Sequence, residues 1–261
     1  MISPLAYIHP EAVIGENCEI GPFCYIDKNV VIGNNNKLMN GVTLLYGTRM
    51  GNGNTVFPGA VIGAVPQDLK FRGEETTTEI GNNNTIRENV TIHRGTASKG
   101  KTVVGSNNLI MENAHIAHDC EVGSGIIMGN STKLAGEVVV DDNAIISAVV
   151  LVHQFCRIGG YTMIQGGSRF SKDVPPYIII GGNPAKYHGI NTFVLKHVDV
   201  NERILRHIAN TYRLIYAGNF SMEDTIIKIR EQIPQSEHID QIVNFIENSK
   251  LGIVRHMKEE E

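Results

Sequence analysis

Residues 2–32, ISPLAYIHPEAVIGENCEIGPFCYIDKNVVI, decide the fold. Ile2, Ile8, Ile14, Ile20, Ile26 and Ile32 recur at every sixth residue, and Leu38, Leu44, Met50, Val56 and Ile62 continue the beat. It returns at Ile80, Ile86 and Ile92, then runs from Val104 through Ile110, Ile116, Val122, Met128, Leu134, Val140, Ile146, Val152, Ile158 and Ile164 to Phe170. Only Asp68, Glu74 and Ser98 break it. A helix repeats near 3.6 residues and a half-buried strand near two, so a sustained period of six is neither. It is the period of hexapeptide β-helices, in which each hexad is a short strand plus a turn, and three hexads, about 18 residues, wrap one triangular coil.

Two neighbouring registers support this reading. The residue after the aliphatic is often glycine, as at Gly15, Gly33, Gly51, Gly81, Gly105 and Gly123, which predicts unusual corner backbone angles at those positions. Four residues after the aliphatic the side chain is small, as at Ala6, Ala12, Cys18, Cys24, Ala60, Ala114, Cys120, Ala144 and Cys156, and is expected to point into the narrow prism. All four cysteines fall in that register, so core filling accounts for them, and no C-x-x-C spacing argues for zinc. A reduced, cytoplasmic setting is expected.

A net charge of −4 argues against nucleic acid as the main partner, because phosphate binding needs a basic surface. No apolar run approaches the roughly 18 residues of a membrane span, and the opening MISPLAYIHPEAVIG lacks the features of a signal peptide. The hexads fade near Pro175 and Pro176, which predicts a mainly β protein in two parts. One is a parallel β-helix over 1–185 with polar loops inserted at about 64–79 and 94–102. The other is a small helical domain over 186–261, covering the open end of the solenoid. Ile204, Ile208, Tyr212 and Ile215 share a helical face, Ser221 and Asp224 form a capping box, and further helices are expected at about 222–233 and 237–249. Lys258 to Glu261 read as a solvated tail. Between 186 and 216, Lys186, Lys196, Arg203, Arg206 and Arg213 outnumber Asp199 and Glu202, which suits either an acidic protein partner or a solvated helix face.

The segment NAHIAHDC at 113–120 gathers His115, His118 and Asp119. Together with QDLK at 67–70, TIHRGT at 91–96, VHQFC at 152–156 and DVPPY at 173–177, it resembles the bacterial UDP-N-acetylglucosamine 3-O-acyltransferases of lipid A synthesis, over essentially the whole chain. The resemblance implies a left-handed β-helix assembled as a homotrimer with active sites between subunits. It also implies transfer of a (3R)-3-hydroxyacyl chain from acyl carrier protein to the glucosamine 3-hydroxyl of UDP-N-acetylglucosamine, the first step of lipid A biosynthesis, without metal or organic cofactor.

A sugar hydroxyl is a poor nucleophile near neutral pH and needs a base at hydrogen-bond distance, a task suited to histidine with its unperturbed pKa near 6.5. His118 matches the family's base, and Asp119 the acid that orients it. Gly136 stands one coil beyond His118, at a spacing of about 4.8 Å. It matches the glycine whose N–H faces the developing oxyanion, and its missing side chain would let the thioester approach. Asp68, Lys70, His115, His153, Gln154 and Asn191 match sugar- and nucleotide-contacting positions, with Gln67 beside them. Met163 and Gly166 match positions lining the acyl channel, where a glycine leaves the floor open and favours a long chain.

The sequence departs from the family pattern at Glu137, which stacks over Asp119 where a histidine is usual; two carboxylates at that spacing would raise one pKa. Phe193, His197 and Val198 also replace charged residues of the nucleotide region. Other readings remain open from sequence: a zinc site on interfacial histidines, a non-catalytic β-helix scaffold, and a hexapeptide acyltransferase acting on another UDP-amino sugar. The related N-acyltransferases carry an extra N-terminal domain, for which hexads starting at Ile2 are expected to leave no room.

Overall fold

The computed structural model describes residues 1–197, 200–217 and 220–256. Each hexad forms a short strand whose last residue is generally the aliphatic of the six-beat, and Ile26, Leu44, Ile62, Ile92, Ile116 and Leu134 are fully enclosed. Among the described residues the strands stack into three sheets of nine, eight and ten strands. The first face runs from Tyr7–Ile8 to Arg169–Phe170 and the second from Val13–Ile14 to Arg157–Ile158. The third runs from Glu19–Ile20 through Met163–Ile164 to the hairpin Ile178–Gly182 and Ala185–Ile190. All neighbours are parallel except that last pair.

Register gives the coil length directly. Tyr7 pairs with Tyr25 and Tyr25 with Thr43, 18 residues per turn. The step widens to 30 between Val61 and Thr91 and to 24 between Thr91 and His115. Insertions of 12 and six residues therefore enter successive coils, and both leave from the corner joining the first face to the second.

The small-residue register fills the prism as expected. Cys18, Cys24, Cys120 and Cys156 are buried and unpaired, and the Cys24 and Cys120 thiols donate to the carbonyls of Met39 and Ala135. Where larger polar residues occupy the register they form a ladder. Asn54 Nδ2 donates to Asn36 Oδ1 and to Gly81 O, both at 3.0 Å, and Asn84 Nδ2 donates to Asn54 Oδ1 at 3.0 Å. Each buried amide thereby satisfies its neighbour on the next coil.

The corner glycines work differently from the expectation. Gly15, Gly33, Gly51, Gly81 and Gly105 do not adopt positive φ; that conformation falls two residues later, on Asn17, Asn35, Gly53, Asn83 and Asn107. Their requirement is room, since a Cβ on Gly105 would lie 2.6 Å from Gly123 O of the next coil. Asparagine tolerates the left-handed region through local side-chain hydrogen bonding, which is why the turn is spelled glycine-x-asparagine.

The strand Ala185–Ile190 pairs antiparallel with Ile178–Gly182 and carries the third sheet into the stretch expected to be helical from 186, before the helix Thr192–His197. The helix Glu202–Ala217 buries Ile208, Tyr212 and Ile215 and leaves Arg203, Arg206 and Arg213 exposed. At the helix Met222–Gln232, Ser221 Oγ accepts from Asp224 N at 3.1 Å, the N-cap half of the expected capping box, while the Asp224 carboxylate accepts from the Ser221 hydroxyl at 2.7 Å rather than from its backbone. The helix Glu237–Glu247 buries Ile239, Ile242, Val243, Phe245 and Ile246. These helices seal the upper end of the prism: Tyr212 donates to Pro176 O, and the Arg157 guanidinium lies 4.5 Å from the centre of the Phe245 ring. No helix among the described residues is long and apolar enough to cross a membrane. Val198, Asp199, the His197 side chain and the tail Lys258 to Glu261 lie outside the described residues.

Candidate active site

The corner between the first and second faces concentrates the chemistry. His118 and Asp119 form its turn after the strand His115–Ile116, Gly136 and Glu137 occupy the same turn one coil on, and Gln154 the next. Both insertions emerge from this edge just below.

His118 Nδ1 lies 2.8 Å from Asp119 Oδ2, with the imidazole only 10% exposed and the carboxylate fully enclosed. Asp119 sits at φ 60°, a conformation aspartate tolerates, and its N–H donates to Thr102 Oγ1 at 2.8 Å. Its carboxylate also accepts from Thr96 Oγ1 at 2.6 Å, Thr96 N at 2.8 Å and Lys99 N at 3.2 Å. Burial alone would push this carboxyl's pKa up, but the hydrogen bonds from Thr96, from His118 and from the backbone of Thr96 and Lys99 outweigh it and hold the pKa below the usual value. The rise expected from stacking against Glu137 is therefore not found at Asp119. The Glu137 carboxylate makes no hydrogen bond or ion pair among the described residues; its backbone N–H donates to His118 O.

The second ring nitrogen, Nε2, has no hydrogen-bond partner among the described residues and keeps solvent contact. It rests against Gly136, where an added Cβ would lie 2.6 Å from Cε1 and 2.7 Å from Nε2 of His118. The missing side chain thus makes room first for the imidazole itself, a reason the sequence reading did not contain. Gly136 N–H has no acceptor among the described residues. The unpartnered Nε2 and the Gly136 backbone thus lie against one another at this corner.

His115 stands three residues earlier, on the strand His115–Ile116. Its Nδ1 and the Thr91 hydroxyl are 2.7 Å apart, and its ring meets that of His93 edge-on at 4.7 Å. Burial, with the neighbouring charges of His93, Lys133 and His118, lowers its pKa to about 4, so it is neutral at pH 7. His93 is buried, its pKa is also lowered by burial and by His118, and its Nδ1 has no partner among the described residues. A groove of about 890 Å³ runs from His115 over Lys133 and Ala135 to His153, Gln154 and Arg169 on the first face. A larger cavity of about 1170 Å³ lies between the second face and the helix Glu237–Glu247, and His118 does not line it.

The first insertion carries Asp68 and Lys70. Asp68 Oδ1 accepts from Lys70 N at 2.9 Å and its carbonyl from Phe71 N at 3.0 Å, a local turn that leaves Lys70 exposed. The turn is tied to the body through Arg94, whose guanidinium lies 5.4 Å from the centre of the Phe71 ring and 5.6 Å from that of Tyr46. His153 is exposed and Gln154 half-buried, with His153 Nδ1 3.1 Å from Gln154 O. Asn191 stands apart, buried at the start of the helix Thr192–His197; its Nδ2 donates to Tyr161 O at 2.9 Å and its Oδ1 accepts from Val194 N at 3.4 Å. Phe193, on that helix, is exposed. Met163 and Gly166 lie on and just after a third-face strand, away from the His118 corner. Positive φ falls on Gly167, so the backbone does not demand glycine at 166.

Comparison with known proteins decides the lineage. Residues 173–254 match the family profile described as Udp N-acetylglucosamine O-acyltransferase, domain 2, and residues 101–136 match the bacterial transferase hexapeptide profile. The chain is 39% identical to the acyl-[acyl-carrier-protein]--UDP-N-acetylglucosamine O-acyltransferase of Halorhodospira halophila, over 97% of this chain and 99% of that protein. A crystal structure of the UDP-N-acetylglucosamine acyltransferase from Bacteroides fragilis superposes with a TM-score of 0.97 at 63% identity, covering 98% of this chain and all of that one. The chain belongs to the UDP-N-acetylglucosamine O-acyltransferase family. This member of the family is an acyltransferase built, as expected, on a left-handed parallel β-helix followed by a small helical region.

Sequence reasoning missed several residues of this acyltransferase's corner: His93, Arg94, Thr96 and Lys99. Three of them, His93, Arg94 and Thr96, stand inside the quoted TIHRGT, yet coil arithmetic could not place Arg94 or Thr96. The insertion begins at an unknown point within 94–102, and every residue beyond that point loses its register. His93 alone carried a usable signal, because it directly follows the aliphatic Ile92 as Ala117 follows Ile116.

Proposed function

We propose that this acyltransferase moves a (3R)-3-hydroxyacyl chain from acyl carrier protein to the glucosamine 3-hydroxyl of UDP-N-acetylglucosamine, the first step of lipid A biosynthesis. The observation that carries the mechanism is the free Nε2 of His118, held beside Gly136 while Nδ1 is tied to Asp119. His118 Nε2 takes the proton of the sugar hydroxyl as its oxygen attacks the thioester carbonyl. Asp119, kept ionised by its hydrogen bonds, holds the tautomer and balances the imidazolium that forms. The tetrahedral oxyanion is met by the Gly136 N–H. Collapse breaks the carbon–sulfur bond, and the Nε2 proton goes to the departing thiolate, so ester and free thiol leave and His118 returns to its starting state. The two substrates and one histidine supply every atom, and no cofactor is required.

Substrate contacts follow from what each side chain can offer. Exposed Lys70 neutralises phosphate, with Asp68 shaping its turn; neutral His115, and His153 and Gln154 along the same groove, hydrogen-bond the sugar and its linkage. Asn191 serves from beneath, since its amide is spent on Tyr161 and Val194. Met163 and Gly166 belong to the acyl channel. Their distance from the corner supports a homotrimer in which one subunit's His118 edge faces the third face of the next. Residues 1–185 act as the catalytic β-helix and 186–261 as the helical domain, working in the cytoplasm. The test is turnover of UDP-N-acetylglucosamine and hydroxyacyl carrier protein by wild type and His118→Ala. Loss of at least about 100-fold is expected on removing the base; equal rates reject the mechanism.

A further inference from the structure

The second insertion, six residues that interrupt the solenoid, folds back over the His118 corner. Three of the four hydrogen bonds that the Asp119 carboxylate accepts come from it: Thr96 N, Thr96 Oγ1 and Lys99 N, the fourth being His118 Nδ1. The Thr96 hydroxyl is itself fixed, accepting from Ser98 N at 3.1 Å while donating to Asp119 Oδ2 at 2.6 Å. The insertion is anchored on both sides. Gly100 N donates to Thr96 O at 2.7 Å, Gly95 N to Thr77 O at 3.1 Å, and Thr76 Oγ1 to Gly95 O at 2.6 Å.

We infer that Thr96 is a positioning residue for the proposed acyl transfer, acting through Asp119, and that the insertion exists to seat that carboxylate. This rests on the reading of His118 and Asp119 as the catalytic pair. The physical need is plain. Asp119 is fully enclosed, and a buried carboxylate with a single partner would protonate or turn away from the ring. Oδ2 is shared between Thr96 Oγ1 and His118 Nδ1, so the hydroxyl fixes where the lone pair meeting the imidazole points. The Thr96 and Lys99 N–H groups hold Oδ1 and stop rotation about the carboxyl axis. The ionisable groups around Asp119 are His118 on the same turn with His93 and His115 behind it, Cys120 next in the chain, Lys99 paired with Glu121 at 2.8 Å, and Glu137 one coil on.

The experiment compares Thr96→Val, which keeps the shape but loses the hydroxyl, with Thr96→Ser, which keeps it, in the full-length protein. Thr96→Val is expected to lower kcat roughly tenfold with KM for UDP-N-acetylglucosamine within about twofold, and Thr96→Ser to restore it. A packing role alone is excluded by pH. Asp119 has a folded pKa below its unfolded value near 3.9, so the stability it adds is complete above that value and is lost as pH falls through the folded pKa. The Tm deficit of Thr96→Val should therefore be roughly 5 °C at pH 7 and shrink in acid below about pH 4. It should vanish in an Asp119→Ala background. A kcat within twofold of wild type overturns the inference, as does a Tm deficit that is equal at both pH values or undiminished without Asp119. The stability cycle needs no turnover, so its outcome is separate from that of His118→Ala, which tests the reaction itself.

Discussion

Gly136→Ala isolates the imidazole's seat from every other function of that turn. Alanine keeps the backbone N–H and suits the local φ, so any oxyanion donor survives. What changes is space: the new methyl would lie 2.6 Å from His118 Cε1 and 2.7 Å from Nε2. To reach ordinary contact the ring must retreat by roughly 0.8 Å. A shift of that size carries Nδ1, now 2.8 Å from Asp119 Oδ2, out of good hydrogen-bond range and moves Nε2 off its line to the substrate. Loss of a hydrogen bond to a charged group costs about 1.5–3 kcal/mol, and a displacement near 1 Å costs on the order of 10²-fold in rate. We expect kcat to fall about 100-fold with little change in KM, measured by steady-state transfer from hydroxyacyl carrier protein. In a His118→Ala background the methyl fills vacated space, so the second substitution should add nothing. A Gly136→Ala enzyme within about threefold of wild type, or losses that multiply in the double variant, would refute the reasoning.

Two further outcomes follow from the surrounding groups. Because the folded pKa of His115 is about 4 against an unfolded value near 6.5, the unfolded chain takes up the proton first. The stability held by neutral His115 is therefore complete above about pH 6.5 and lost as pH falls toward 4, on the order of 3 kcal/mol; His115→Asn should flatten that part of a denaturation profile against pH. The stack of Phe71 on Arg94 predicts that Phe71→Leu or Arg94→Met frees the loop carrying Asp68 and Lys70. Each should raise KM for UDP-N-acetylglucosamine roughly fivefold with kcat nearly kept, and speed tryptic cleavage after Lys70 and Arg72; unchanged KM and cleavage would detach the stack from binding.

The solenoid was legible because its physics is local. An aliphatic residue every six positions can be buried only if the chain turns three corners per coil, and the small register must follow because the prism is narrow. The pairing of His118 with Gly136 was legible for the same reason, being one undisturbed coil of 18 residues. Other features were not. The corner glycines were read as conformational when they are steric, since a Cβ clash with the next coil depends on coil spacing rather than on local preference. The amide of Asn191, matched to a substrate contact, is engaged in capping a helix and bracing Tyr161, partners 30 residues apart that no period connects.

The sequence by itself determined the period, the enclosed faces and the one edge on which the histidine and aspartate stand, because each is set by side-chain volume and spacing along the chain. Only the tertiary structure decided how that aspartate stays charged in an enclosed site. Its partners lie in an insertion outside the repeat, and where an insertion folds depends on the hydrogen bonds it finds in three dimensions, at Thr77, at Thr76 and at Asp119, rather than on any beat in the chain.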